Sequence, residues 1–449
     1  MKKSWILGLI VTLGAVAQAP LTLKDAVRLA LDKNKAIVAA TATTSAAETR
    51  VRGARSSSLP KINYSESWTR SDNPVFVFGS LLTQHQFGPG NFQIGSLNQP
   101  DFLNNFQSMF TADQTVYDAG QTKRAVRSAD LSKQITSEDG RRTEMEVIGS
   151  VIRNYYGALL SAEHVRATHQ AMKSAEADLE RAQAVRAAGM STDVDVLSIR
   201  VHLSAVREQQ IRREADLEVA RAALNDAIGI PLDTPHELVT ALVPLDVPEN
   251  SLADQETLAL KERPDARQLK LVTSLAETQA AAARSSLLPQ VVLHGAFEAD
   301  RQRFITRGGD NWLVSAGLRW NLFNGFADQA RIEETKFGVQ RSAAEEGRAG
   351  SAIRLQVRRA FADLKAATQR IEVAKASVAE AEESLRITQN RYQGGISNVT
   401  DLLRTETALL EARTRHLAAI YDQRIAAAML EQASGSLTPA SALLNERTQ

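Results

Sequence analysis

Two stretches decide the fold: ARSSSLPKINYSESW at 54–68 and ARSSLLPQVVLHGAF at 283–297. Each runs from an alanine-rich polar segment through Leu-Pro into an alternating segment. Aligning them pairs Arg55 with Arg284 and Pro60 with Pro289, an offset of 229 residues. AET at 47–49 then meets AET at 276–278, and LAL at 29–31 meets LAL at 258–260. Further along, TVYDAGQ (115–121) meets WNLFNGFA (320–327), and GMSTDVDVL (189–197) meets GISNVTDLL (395–403), now at an offset of 206. The chain is therefore an internal duplication. The first copy carries about 23 extra residues, which fall between Asp72 and Gln107.

Each copy reads as helix, strand, loop, strand, long helix, turn, long helix. In KINYSESWTR, Ile62, Tyr64 and Trp68 share a face against Asn63, Ser65 and Ser67. QVVLHGAFEA sets Val291, Leu293 and Phe297 against His294 and Glu298. In NWLVSAGLRWNLF, alternation continues from Trp312 to Leu322. SMFTADQTVY is the weakest of the four. Segments of about ten residues with one apolar face are the signature of membrane β-strands, and Trp and Tyr near their ends suit the membrane interfaces. Pro60 and Pro289 stand where helix must give way to strand, because proline lacks an amide proton and forces its predecessor to be extended. Gly120 and Gly325, in DAG and NGF, let the chain turn from strand back into helix.

The helices carry the clearest periodicity. Ile353, Val357, Ala360, Leu364, Ala367, Ile371, Ala374, Val378, Ala381 and Leu385 alternate steps of four and three, a heptad seam. Subtracting 206 gives Val147, Val151, Asn154, Ala158, Ser161, Val165, Thr168, Met172, Ala175 and Leu179, the same seam with more polar small residues. Helices from Gln121 to Ala188 and from Asp328 to Gly394 are each roughly 100 Å long at 1.5 Å per residue, so they must pack along one another.

The remaining organisation follows. MKKSWILGLIVTLGAVAQA (1–19) has the charged start, apolar run and small-residue end of a secretory leader cleaved after residue 17 or 19; an N-terminal anchor is the alternative. The first repeat covers 20–229, with a hairpin at 61–118 and a helix pair at 121–229. A Pro-rich linker spans 230–250. The second repeat covers 251–435, with a hairpin at 290–323 and a helix pair at 328–434, and 436–449 form a tail expected in the periplasm. The absence of cysteine excludes disulfides. A formal charge of +1, or −1 once Lys2 and Lys3 leave with the leader, gives no field for nucleic acid.

Four strands cannot close a barrel in lipid, since open edges leave unpaired amides and eight strands is about the smallest closed case. The chain must oligomerise, and a duplicated half-unit tiles a ring.

The order of these elements, the paired LP and YDAG or FNG junctions, and the paired turns AAGMSTDVDVL and QGGISNVTDLL resemble the outer-membrane efflux protein family, the TolC-like channels, from about Leu21 to Leu437. The resemblance implies a mainly α fold with membrane β-structure. Long coiled-coil helices would form a periplasmic α-barrel, and four strands per chain would enter a shared twelve-strand β-barrel of a homotrimer in the outer-membrane lipid. It implies a channel-tunnel of a tripartite efflux or type I secretion system, with a periplasmic adaptor (membrane fusion protein) and an inner-membrane transporter of RND, ABC or MFS type.

Carried onto this sequence, the adaptor-docking tips fall on Gly189, Met190 and Ser191 and on Gly395, Ile396 and Ser397. Ser191 and Ser397 are also read as the N-caps of the helices that follow. Asp401 matches a pore-constriction aspartate, while Asp195 and Tyr392 match a closing contact. Arg404 stands where a second constriction aspartate is common and Ser397 where closure can use arginine. Cation selectivity and the mode of closure are thus not fixed by the resemblance. Read without it, Asp401 is a first-turn acid favoured by the helix dipole.

No nucleophile, phosphate-loop or metalloprotease pattern is present, so no enzymatic activity, cofactor or metal is expected. His164 and His169 are five apart, do not share a helix face, and read as solvated. The competing reading is a secreted coiled-coil scaffold or adhesin, which would have no use for four amphipathic strands.

Overall fold

The computed structural model describes residues 19–189, 191–246, 251–305 and 308–444. The expected leader, apart from Ala19, lies outside them. After the short strand β1 (Ala19–Leu21), the first copy runs α1 (Leu23–Lys33), α2 (Lys35–Ser56), β2 (Lys61–Ser71), β3 (Leu103–Tyr117), α5 (Gln121–Ala187) and α6 (Asp193–Ile228). Two helices, α3 (Pro74–Thr83) and α4 (Ile94–Asn98), lie inside the extra loop. After β4 (His236–Leu238), the second copy runs α7 (Leu252–Glu262), α8 (Pro264–Ser285), β5 (Gln290–Arg301), β6 (Gly309–Arg319), α9 (Ala327–Gln393) and α10 (Val399–Ser434). The lengths repeat: 11 residues for α1 and α7, 22 for α2 and α8, 67 for α5 and α9, and 36 for α6 and α10.

The chain divides into two compact units. One holds the described residues within Met1–Ala42, Glu138–Arg267 and Ala349–Gln449; the other is Thr43–Ser137 with Gln268–Arg348.

The second unit is built on one antiparallel sheet ordered β2-β3-β5-β6. The register sets Tyr64 opposite Phe110, Phe110 opposite Phe297 and Phe297 opposite Trp312, an aromatic row across all four strands on one face. The Tyr64 and Phe110 rings sit 4.8 Å apart. Asn63, Thr111, Ala296 and Leu313 lie on the other face, where polar side chains predominate. There His294 Nδ1 meets Asp113 Oδ1 at 2.8 Å. Within the chain, β2 and β6 are the edges of this sheet. Alternation predicts strand out to Leu322, but β6 stops at Arg319. Its partner β5 begins at Gln290, which faces Arg319, so residues beyond have no ladder to join.

Pro60 and Pro289 each directly precede a strand. Before α5, Ala119 and Gly120 both have positive φ; before α9, Gly325 and Phe326 do. At the 206 offset these are the same two positions, with glycine taking the second in one copy and the first in the other.

The first unit is helical. The seam residues of α9 are buried through Ile353, Val357, Ala360, Leu364, Ala367 and Ile371, and those of α5 through Val147, Val151, Ala158, Thr168 and Ala175. The largest core gathers Val27, Ile148, Ile152, Tyr155, Leu224 and Ile228 with Leu437 and Leu444 of the tail. Each such large side chain contributes about 1.5–3 kcal/mol on burial. Two features had no sequence signal. β1 pairs in parallel with β4 of the linker, and Tyr155 clamps that pair. Its hydroxyl donates to the Leu21 carbonyl (2.7 Å) and sits 2.8 Å from Thr240 Oγ1. His164, expected to be solvated, is half-buried; burial, with a smaller push from the Arg213 charge, lowers its pKa.

Candidate functional site: the helix-turn tips

The α5–α6 and α9–α10 turns are built alike. α5 and α9 run into glycines with left-handed backbone, Gly189 (φ 78°) and Gly395 (φ 72°). At the second turn the Gly395 N–H donates to the Tyr392 carbonyl (3.0 Å) and the Ile396 N–H to the Arg391 carbonyl (2.8 Å). These bonds satisfy carbonyls that a helix end leaves open. Met190 lies outside the described residues. Ile396 leaves 72% of its surface exposed at the turn.

The caps differ from expectation. Thr192 and Asn398, not Ser191 and Ser397, are the N-cap residues, and both have extended backbone. Thr192 Oγ1 accepts from the Asp195 N–H (3.3 Å) and Asn398 Oδ1 from the Asp401 N–H (2.9 Å). The reason is spacing: Thr192 and Asn398 stand three residues before the acid, where the side chain reaches its backbone N–H. The serines serve the acid instead. Ser191 Oγ donates to Asp195 Oδ2 (2.9 Å), and Ser397 Oγ donates to Asp401 Oδ2 (3.1 Å).

Asp195 and Asp401 are thus the same position in the two copies, each held at the start of a helix by the serine four residues before it. The Thr192 backbone N–H holds the Asp195 carboxyl below its usual range. Slight burial opposes this, and the Thr192 and Ser191 hydroxyls reinforce it. Asp401 and Arg404 are both exposed, one turn apart on α10. Tyr392 is half-buried against Ala182, Val196, Ile199 and Val399. Burial first, then the charges of Asp195 and Asp178, raise its phenol pKa. The Asp195 carboxylate is occupied by Ser191 and Thr192 rather than by Tyr392.

Further into the helices lies a polar cluster that sequence reasoning missed. Asp178 of α5 is buried beside Glu406 of α10, and Glu406 Oε2 lies 3.4 Å from His202 Nε2 of α6. Arg181 Nη1 contacts Asp178 Oδ1 at 2.8 Å. Glu406 and His202 border a cavity of about 170 Å³ lined also by Ala171, Ser174, Val206 and Leu410. Burial, and then the neighbouring Glu406, pushes the Asp178 carboxyl up to about 7. Glu406 is held low despite its burial, by His202 and by the proton on Asp178. The one trace of this in the sequence is an acid three residues after the seam residue Ala175.

A raised carboxyl stabilises the fold fully below its unfolded pKa, and that contribution is lost as pH rises through about 7. Asn mimics the protonated acid. Asp178→Asn should therefore gain on the parent between pH 5 and pH 8, by about 1–2 kcal/mol once screening by Arg181 and solvent is allowed for. Thermal melts at the two pH values test this; a stability difference that does not change with pH would dissociate Asp178 from the proton.

Among the described residues, no group of three or more His, Cys, Asp or Glu is arranged to hold a metal, and no helix is long and apolar enough to cross a membrane.

The family described as outer membrane efflux protein matches residues 26–230 and 257–436, which is most of the chain and both copies. The chain belongs to the outer membrane efflux protein family. It is a channel protein of that family rather than an enzyme. Protein CyaE of Bordetella pertussis is 28% identical over 349 residues, covering 76% of this chain and 73% of its own. The alkaline protease secretion protein AprF of Pseudomonas aeruginosa is 22% identical over 447 residues, covering 97% and 89%. The outer membrane channel CmeC of Campylobacter jejuni has the same fold, with a TM-score of 0.78 at 18% identity over 94% of this chain and 87% of that one. Its likeness to this efflux protein concerns fold alone.

Proposed function

We propose that the chain is the outer-membrane conduit of a tripartite export system, passing cargo from an inner-membrane transporter and a periplasmic adaptor to the exterior. The observation that carries this reading is the four-stranded sheet, with one aromatic face, one polar face and β2 and β6 as its edges. Such edges are tolerable in lipid only when another strand covers them. Three copies joined β6 to β2 close a twelve-strand barrel with the aromatic face to lipid. Trp312 lies near one end of β6 and Trp320 just past the other; at about 3.3 Å per residue and a tilt of 35–45° they stand about 20 Å apart along the membrane normal, within an apolar band of about 25 Å. On α6, Val194, Leu197 and Val201 form an exposed apolar stripe at helical spacing, which suits burial against a neighbouring copy. A secreted scaffold or adhesin would need none of these.

The tips at Gly189, Ser191, Gly395, Ile396 and Ser397 are assigned to adaptor docking. The exposed Ile396 is the apolar contact, and Met190 completes the first tip on sequence grounds. Asp401 is assigned to the constriction, with Arg404 one turn away moderating its charge, and Asp195 with Tyr392 to closure between helices. The full chain should fractionate with the outer membrane, run as a trimer in native mass spectrometry and conduct in planar bilayers. A soluble monomer would end the reading. In the same recordings Asp401→Ala should weaken block by divalent cations about tenfold, or about 1.4 kcal/mol. Unchanged block would take Asp401 out of the pore.

A further inference from the structure

We propose that the insert between β2 and β3 folds inward over the polar face of the sheet and forms an apolar constriction at the exit, with Gln84, Asn105, Asp300 and Gly309 as the residues that position it. This rests on the reading above, in which the polar face lines the lumen.

The face is fixed by register. Asn105 of β3, Asp300 of β5 and Gly309 and Asn311 of β6 lie opposite the aromatic row, on the side of Thr111, Asp113 and His294. All four gather around the end of α3. Gln84 is almost fully buried, and its Nε2 donates to Asn105 Oδ1 (2.8 Å) and to the Asn104 carbonyl (3.0 Å). Asn105 Nδ2 donates in turn to Asp300 Oδ1 at 2.5 Å, and Asp300 is wholly buried. Asn311 Nδ2 donates to the Thr83 carbonyl (3.2 Å). Gly309 is there because nothing larger fits: a Cβ would stand 2.0 Å from the Thr83 carbonyl oxygen. A loop merely resting on solvent would have no need of this buried polar chain.

These contacts lie at the end of the sheet remote from α2 and α8, where β2 ends and β3 begins. The insert has its own small aromatic core, with Phe87 packed edge-on against Phe78 (4.8 Å) and Phe92 (5.1 Å). Several of its apolar side chains stay exposed, Val75 (81%), Ile94 (76%), Phe92 (68%) and Leu82 (48%), beside polar ones such as His85, Gln86 and Gln93. Three inserts would therefore place a ring of apolar side chains across a lumen whose wall is mostly polar. Apolar rings in a polar conduit restrict ions by dewetting. The second copy joins its two strands with only the seven residues 302–308, too few for such an insert, so the constriction belongs to the first copy alone.

The test uses the full chain in planar bilayers with potassium chloride and polyethylene glycols of graded size. Replacing residues 74–100 by a short polar turn should raise conductance about twofold or more and admit larger polymers. Gly309→Val, which evicts Thr83 without removing the insert, should shift conductance the same way. Combined with the loop replacement it should add nothing, which separates eviction from misfolding. A loop-replaced channel with parental conductance and the parental size limit would overturn the inference. A parent chain that forms no channel would instead sink the conduit reading on which it rests.

Discussion

Gly229→Ala and Gly435→Ala should each destabilise the helical unit by about 3 kcal/mol, while Gly189→Ala and Gly395→Ala should each cost only about 1 kcal/mol. All four glycines have left-handed backbone, with φ between 72° and 88°, so the cost of placing an alanine there is shared. The difference is space. A Cβ on Gly229 would lie 2.8 Å from Asn34 Cα and 3.0 Å from Asn34 N. A Cβ on Gly435 would lie 2.7 Å from Arg263 N and 2.9 Å from Arg263 Cα. Those neighbours are backbone at the α1–α2 and α7–α8 joints and cannot swing away. At Gly189 and Gly395 nothing lies within 4 Å of the added carbon. Denaturant unfolding of the four variants checks the ranking. Equal losses at all four would mean that backbone strain, not the packing of one helix end on another joint, sets the cost.

That pair of contacts also shows what self-comparison of the sequence can and cannot read. The 229 and 206 offsets foretold matched helices, and the helix lengths agree residue for residue. The same offsets bring Gly229 onto Gly435 and Asn34 onto Arg263. Yet unlike side chains do the same work at the joint: Asn34 Nδ2 donates to the Ala227 carbonyl (2.8 Å), and Arg263 Nη1 donates to the Ala433 carbonyl (3.0 Å). No identity marks that equivalence; the geometry of the duplicated backbone does. The strand ends were legible only in part, because alternation reports which face a side chain takes, whereas ladder bonds need a partner strand. Hence β6 stops at Arg319 although the pattern runs on to Leu322. At the tips, the glycines and the acids were readable, but the choice of cap between adjacent Ser and Thr or Asn was not, since each can accept the same bond. The Asp178–Glu406–His202 cluster was hidden because its members come from three helices, with Glu406 on α10 some two hundred residues from the other two.

One feature with no counterpart in the other copy, which sequence could not foresee, carries the second large effect. Arg424→Ala should cost about 3 kcal/mol, and Gln423→Ala about 2 kcal/mol. Both sit on α10, almost fully buried, and both hold the inter-repeat linker to that helix. Arg424 donates to the Val243 carbonyl from Nε (2.8 Å) and Nη2 (2.6 Å), and from Nη1 to the Tyr156 hydroxyl (2.9 Å). Its guanidinium also lies 5.2 Å from the Tyr156 ring centroid. Gln423 pairs with the backbone of Leu245 in both directions: Oε1 accepts from its N–H (2.8 Å) and Nε2 donates to its carbonyl (3.1 Å). Truncating Arg424 strips the Val243 carbonyl of two charge-assisted donors and leaves a gap against Tyr156, so desolvation and lost packing add. Arg424→Lys cannot rescue it fully, because an ammonium cannot present the planar fork that holds one carbonyl twice while stacking on a ring. At the 206 offset the first copy has Leu217 and Glu218, so α6 carries neither the amide nor the guanidinium that makes this clamp. If the clamp fixes the linker, limited proteolysis of Arg424→Ala and Gln423→Ala should open new cleavage between about residues 240 and 250 before the helices themselves are cut, with Arg424→Lys intermediate. Parental proteolysis together with parental stability would mean that the linker is held by its apolar contacts through Leu242 and Leu245 instead.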